Sequence, residues 1–217
     1  MHTQTRNNLI IYGGSFDPIH QGHLNTALAV QESARFERFL FLPCKQSLLK
    51  NSANASCHDR LNMLKLALDP YPEFTLDTYE ITNTRPSYMI ETLEYMRAQA
   101  GLNTAITLMM GLDTFAELPL WNRWTELLSY SHLMIIDRPN YAINNLNHEL
   151  LDLMQQHQTR DKNDLLRLTC GTIYLFNAGQ HDISSSFLRA QMKSGQDITH
   201  LTPDTVKNYI KEHALYR

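Results

Sequence analysis

The sequence predicts a doubly wound α/β fold built on a mostly parallel sheet, as a single domain over residues 1–217. Three observations predict it. Short β-rich runs alternate with longer segments of helical spacing, the signature of strand–helix units rather than hairpins. Most of those runs are near-continuous in apolar residues, as strands covered on both faces require. The first run ends on a glycine pair that leads toward a helix, and in such sheets ligands sit beyond the carboxyl ends of the strands.

Taken in order, the first strand candidate is 9–12, followed by an Ala-rich helix over 24–34 with Leu24, Ala27 and Leu28 on one side. A strand over 39–42 comes next. Ser56-Cys57-His58-Asp59 then forms a capping-box pattern that opens an apolar stripe of Leu61, Leu64 and Leu68. After a short strand at 74–76, residues 87–100 place Ile90, Leu93 and Met96 at helical spacing. Strands at 105–109, 132–136 and 172–176 complete the sheet, with helices at 143–156 and 184–192. The more polar stretch 140–164 reads as a small excursion from the sheet. No repeat or low-complexity tract divides the chain.

Of 217 residues, 43% are hydrophobic and 19% charged, the composition of an ordinary globular protein. A net charge of -3 argues against a broad nucleic-acid or membrane surface, which needs a basic excess. The apolar run before Gly13-Gly14 is only four residues, Leu9 to Tyr12, too short for a signal-peptide core, and no apolar run approaches membrane-spanning length. Cys44, Cys57 and Cys170 show no CxxC pairing. These features predict a cytoplasmic protein with reduced thiols and no nucleic-acid or membrane partner.

The informative stretch is Gly13-Gly14-Ser15-Phe16-Asp17-Pro18-Ile19-His20-Gln21-Gly22-His23. The glycines let backbone approach a ligand where a Cβ would intrude. His20 and His23 are three apart, so a helix starting near Gly22 directs both imidazoles toward one anion. The helix start adds unpaired N–H groups and a partial positive charge. Alone, two histidines at a helix start are most often caps, and a glycine pair is most often a turn. Following a strand, with a second hydroxyl-rich box downstream, they read as a phosphate cradle. Neither GxxxxGK[ST] nor GxGxxG occurs. Downstream, Ile183-Ser184-Ser185-Ser186-Phe187-Leu188-Arg189 places three hydroxyls ahead of an arginine. If Ser184 caps a helix, Ser186 and Arg189 share its positive end, a donor set suited to phosphate oxygens.

The first stretch resembles the signature of the HxGH nucleotidyltransferase superfamily, whose sheet is Rossmann-like, and in the form GGSFDPxHxGH its nicotinate-mononucleotide adenylyltransferase branch. The resemblance runs over nearly the whole chain: Arg85-Pro86-Ser87-Tyr88, Thr92-Leu93, Gly111-Leu112-Asp113, Trp121, Arg138-Pro139 and the 183–189 box. It implies transfer of the adenylyl group of ATP to nicotinate mononucleotide, with Mg²⁺ accompanying ATP. It casts His20 and His23 as catalytic donors. Gly13, Gly14, Ser15, Phe16, Lys50, Gly111, Asp113, Arg138, Ser184, Ser186 and Arg189 fall on the ATP and phosphate side. Cys44, Tyr88, Met89, Trp121 and Asn122 fall on the acceptor side, with Trp121 a platform for the pyridine ring and Trp124 a core residue. Two positions depart from the branch: Leu49 stands where a histidine is expected, and Met89 where a threonine is. No acidic cluster marks a dedicated metal site. Asp17 reads equally as a turn-stabilising carboxylate or a ribose or metal-water contact. Sister transferases acting on other phosphate acceptors share the first box, but the Trp121 segment and the serine box set this chain apart from them. A regulator without turnover and a metallohydrolase using Asp17, His20 and His23 remain as readings from other classes.

Overall fold

A computed structural model describes residues 7–46, 53–85, 88–137, 143–179 and 183–217. Seven strands among them form one sheet: β1 (Asn8–Gly14), β2 (Arg38–Pro43), β3 (Phe74–Leu76), β4 (Ala105–Gly111), β5 (His132–Ile136), β6 (Gln158–Thr159) and β7 (Ile173–Phe176). Their order is β3-β2-β1-β4-β5-β7-β6. Every pairing is parallel. The chain builds outward from β1 through β2 and β3, then returns to lay β4 on the other side of β1. The reversal leaves a crevice beyond the carboxyl ends of β1 and β4, where open α/β sheets hold their ligands.

The helices are α1 (Gln21–Ala34), α2 (Cys57–Leu68), α3 (Tyr79–Thr82), α4 (Met89–Ala100), α5 (Leu112–Ala116), α6 (Leu127–Tyr130), α7 (His148–His157), α8 (Asp164–Arg167), α9 (Ser185–Lys193) and α10 (Asp204–Glu212). Alternation along the strands splits the core in two. Ile10, Tyr12, Phe39, Phe41, Met109 and Met134 pack with Leu24, Ala27 and Val30 of α1, Met63 and Leu64 of α2, and Val206 and Ile210 of α10. Leu9, Ile11, Leu40, Leu42, Ile106, Leu108 and Leu133 pack with Ile90, Leu93 and Met96 of α4 and Leu150 and Met154 of α7. A sheet covered on both faces needs apolar residues at every strand position, hence the unbroken runs in the sequence.

The expected parallel sheet is borne out, with every pairing parallel. Three expectations change. Helix α4 begins at Met89, with Tyr88 as its N-cap, two residues later than the spacing predicts. The 143–156 helix divides into a 3-10 turn at Ile143–Asn145 and α7, because Asn147 caps α7 by accepting from Leu150 N at 3.0 Å. The polar stretch before Asp164 does not leave the sheet, since α7 buries Leu150 and Met154 and Gln158–Thr159 pairs with β7 as an edge strand. The two-residue β6 and the short α3, α5, α6 and α8 are too brief for periodicity to reveal. α10 is an amphipathic helix that buries Val206 and Ile210 and was not among the expected elements.

At the opposite end of the sheet, Arg97 of α4 gathers loops onto the core. Its guanidinium donates to the carbonyls of Gly101 at 3.2 Å, Thr104 at 2.5 Å, Tyr130 at 2.6 Å and Thr169 at 2.9 Å. Burial pushes its pKa down from the usual arginine value. No helix among the described residues is long and apolar enough to cross a membrane.

Candidate active site

The crevice holds a cleft of about 410 Å³, floored by the ends of β1 and β4 and walled by α1, α4 and the start of α9. Its organising feature is a reciprocal cap at the start of α1. His20 is the N-cap: its Nδ1 accepts from His23 N at 3.3 Å, and His23 Nδ1 accepts from His20 N at 3.3 Å. The two rings stack with centroids 3.6 Å apart. An Nδ1 that accepts a backbone N–H carries no proton, so each neutral ring holds its proton on Nε2 as a donor. The cap that starts the helix therefore also fixes the tautomer of both imidazoles.

The rest of the box supports this pair. A Cβ on Gly22 would lie 3.0 Å from His20 Nδ1 and 3.3 Å from the Ile183 Cβ, so any larger residue there must push the His20 ring or the chain entering α9 aside by a few tenths of an ångström. A Cβ on Gly13 would lie 3.2 Å from Met89 Cε, which brings the first glycine against the start of α4. Phe16 sits in the left-handed region at φ 47, unusual for a bulky residue, and is almost fully buried. Its ring packs edge-on against Tyr12 and His23, with centroids 5.5 and 5.1 Å away, which holds the loop in that conformation.

Asp17 ties distant segments together. Its carboxylate, 3% exposed, accepts from Asn54 N at 2.7 Å, Ala55 N at 3.1 Å and the Tyr216 hydroxyl at 2.7 Å. These bonds match the turn-stabilising reading of Asp17: the carboxylate clamps the loop before α2 and the chain's C-terminal segment to the first box. Burial and this contact with Asp17 push the Tyr216 hydroxyl far above the usual tyrosine pKa.

The second box joins the first rather than standing apart from it. Ser184 caps α9 by accepting from Phe187 N at 3.1 Å, as the sequence predicts. Arg189 donates to Asp17 O at 2.6 Å and to Ser186 Oγ at 3.3 Å, and Ser185 donates to Pro18 O at 3.0 Å. Ser184, Ser186 and Arg189 thus line the same cleft as Gly13, Gly14, Ser15, Phe16, His20 and His23. Gly111 and Asp113 border it from the end of β4.

Cys44, Tyr88, Met89, Trp121 and Asn122, expected on the acceptor side, line the same cleft. Cys44 N is already engaged with Gly14 O at 2.9 Å, which removes it as a main-chain donor to a ligand. Burial pushes its thiol up to about 11, so it is an inert wall. Trp121 follows the 3-10 turn Leu118–Leu120, half-buried. Trp124, expected in the core, is also only half-buried, at the start of a second 3-10 turn. Lys45 turns to the backbone, donating to Asn83 O at 2.6 Å. Lys50, Arg138, Leu49 and Ser87 lie outside the described residues.

Two buried charged residues of the cleft were not among the sequence expectations. Arg60, fully buried, donates to Ser15 O at 2.6 Å and Lys45 O at 2.7 Å, bracing the first box against the loop after β2. A signal existed: Arg60 shares the buried face of α2 with Met63, Leu64 and Ala67, a charge on an apolar stripe. Glu80, 3% exposed, accepts from Thr92 Oγ1 at 2.7 Å and borders the cleft. Burial pushes its carboxyl up to about 7. It sits on the four-residue α3, where no periodicity could mark it.

A family model described as cytidylyltransferase-like matches residues 11–191. A protein of Legionella pneumophila (strain Corby), named "Probable nicotinate-nucleotide adenylyltransferase", is 40% identical over 210 residues, covering 97% of this chain and 99% of its own. One of the same name from Methylococcus capsulatus is 37% identical over 95% of this chain and 98% of its own. In fold, the chain is similar to a Plasmodium falciparum nicotinic acid mononucleotide adenylyltransferase complexed with NaAD, with a TM-score of 0.75 at 21% identity and 97% coverage of both chains. By its cleft, its sheet and these relatives, the chain belongs to the cytidylyltransferase-like nucleotidyltransferases and, within them, to the nicotinate-nucleotide adenylyltransferase family.

Proposed function

We propose that this enzyme transfers the adenylyl group of MgATP to nicotinate mononucleotide, forming nicotinate adenine dinucleotide and pyrophosphate in NAD biosynthesis. The observation that carries the reading is the His20–His23 box at the switch point, joined by the serine–arginine start of α9 in the wall of one cleft. The names of the full-length relatives supply the acceptor.

In this reading a phosphate oxygen of the acceptor attacks the α-phosphorus of ATP. A new P–O bond forms while the bond to the bridging α–β oxygen breaks, and pyrophosphate leaves with the electron pair. The nucleophile is already an anion, so the protein supplies no base. Its part is to position two anions and stabilise charge on the transferring phosphorus and leaving group. His20 and His23 donate from Nε2 at the positive end of α1. Ser184, Ser186 and Arg189 hold the triphosphate from α9. Lys50 and Arg138 add cations in the assignment carried over from the family. Mg²⁺ enters with ATP as part of the substrate. Among the described residues no group of three His, Cys, Asp or Glu gathers, so in this reading the ion would be held chiefly by the triphosphate it arrives with. Tyr88, Met89, Trp121 and Asn122 receive the pyridine ring, whose carboxylate meets the first N–H groups of α4. One domain over residues 1–217 carries all of this, in the cytoplasm where both mononucleotide and ATP are available.

The test is incubation with MgATP and nicotinate mononucleotide, with the product identified by mass. The dinucleotide and one pyrophosphate per turnover are expected. ADP and inorganic phosphate, or no turnover, would overturn the reading.

A further inference from the structure

Glu80 has no part in adenylyl transfer as described, yet it is a carboxyl buried in the wall of the cleft. Its Oε1 is held by the Thr92 hydroxyl at 2.7 Å. Thr92 lies in the first turn of α4, donating its backbone N–H to Tyr88 O at 3.1 Å. The Glu80 carboxyl is therefore about one helical turn from the donors that start α4. Tyr88 and Met89, at that same start, line the cleft with Trp121 and Glu80 itself. Two negative groups, Glu80 and a pyridine carboxylate, would then share one helix end.

On the reading that this is the acceptor end of the cleft, we propose that Glu80 is a specificity-determining residue whose charge state sets how strongly an acid substituent on the pyridine ring is preferred over an amide. With Glu80 neutral, the start of α4 serves the substrate carboxylate alone. With Glu80 ionised, its charge opposes that carboxylate while leaving a carboxamide almost unaffected.

The groups facing Glu80 leave it as the one that switches in this cluster. The Cys44 thiol at the end of β2 and the Tyr79 phenol of α3 are both pushed upward and stay neutral through neutral pH. The Asp77 carboxyl, just beyond β3, adds to the push on Glu80 beyond what burial supplies, whereas the Thr92 bond pulls it back. Arg60 of α2 acts on Cys44, and Glu91 of α4 on Tyr79. Glu80 itself crosses from neutral to charged near pH 7.

The experiment measures kcat/KM for the acid and amide mononucleotides at saturating MgATP between pH 5.5 and 8.5, and takes their ratio. Ionisation of the nucleotide phosphate and of the histidines is common to both substrates and cancels. The wild-type ratio of acid to amide should fall roughly 10-fold as pH rises through about 7, the scale of one opposing charge across a protein wall. In Glu80→Gln, whose amide still accepts from Thr92, the ratio should stay high and flat. In Thr92→Val, loss of the bond that favours the charged form should move the midpoint upward, which a purely structural role would not do. A flat wild-type ratio, or a pH-dependent ratio in Glu80→Gln, overturns the proposal while leaving adenylyl transfer standing. If neither mononucleotide is turned over, the acceptor assignment fails and this inference fails with it.

Discussion

His20 serves two masters, as helix cap and as phosphate donor, and the two can be separated by substitution. His20→Ala removes both, and turnover should drop by roughly 10²–10³, the scale of one preorganised donor, with about 1 kcal/mol of stability lost with the cap. His20→Asn keeps a capping acceptor and should recover the stability but not the turnover. Near-wild-type turnover in either would remove His20 from the chemistry. Gly22→Ala tests the geometry instead. Alanine favours a helix over glycine by about 1 kcal/mol, so propensity alone predicts a better enzyme scaffold. The added Cβ, however, would stand 3.0 Å from His20 Nδ1 with Ile183 behind it, so the ring must move. A displacement of a few tenths of an ångström at a donor should lower kcat by about 10-fold or more with little loss of Tm. Unchanged kcat would mean that the ring position is not critical.

Between elements, the contacts that assemble the cleft are mostly long-range polar bonds, and these were the least legible part of the sequence. The boxes on β1–α1 and on α9 could be read because a glycine pair, a spaced histidine pair and a serine cap have local causes. So could the strand runs, because a doubly covered sheet writes itself as unbroken apolar residues. What joins them is not local. Asp17 meets Tyr216 across 199 positions, and Arg189 meets Asp17 O across 172. No periodicity marks an aspartate in a turn as the partner of a tyrosine near the chain's end. Glu80 was invisible for a similar reason, since α3 is a single turn and its burial comes from elements packed around it. Arg60 was legible in principle, as a charge on the stripe of α2. The join can be tested at Tyr216. Tyr216→Phe keeps the ring and removes the hydroxyl that donates to Asp17 at 2.7 Å, a bond to a buried carboxylate. A loss of about 1.5–3 kcal/mol is expected in urea unfolding, together with a raised KM for ATP as Asp17 and Arg189 loosen. Lost stability with an unchanged KM would confine the clamp to folding.

For the molecule as a whole, two buried titratable groups on opposite sides of β1 set a pH dependence that neither would give alone. His132 of β5 is fully buried, with Nδ1 accepting from Thr172 N at 3.2 Å and Nε2 donating to Leu168 O at 3.1 Å. Burial lowers its pKa from 6.5 to about 4. Between those values the unfolded chain binds a proton that the folded chain refuses, so stability is complete above about pH 6.5 and drains away as pH falls toward 4. Glu80 works in the reverse sense. Burial raises it from 4.5 to about 7, so the folded chain keeps a proton that the unfolded chain releases. Its contribution is complete below pH 4.5 and is lost as pH rises through about 7. Each shift corresponds to about 3 kcal/mol, and between pH 4.5 and 6.5 the two slopes oppose each other. Removing one should therefore expose the other. Relative to wild type, Glu80→Gln should gain about 3 kcal/mol as pH is raised from 4.5 to 7, and His132→Asn should gain a similar amount as pH is lowered from 6.5 to 4. Urea unfolding of the three proteins across pH 4–8 measures both differences, and other titrating groups cancel in the subtraction. If both differences are independent of pH, these two side chains are not the groups that couple protonation to folding. A gain confined to Glu80→Gln would place the acid sensitivity elsewhere than at His132.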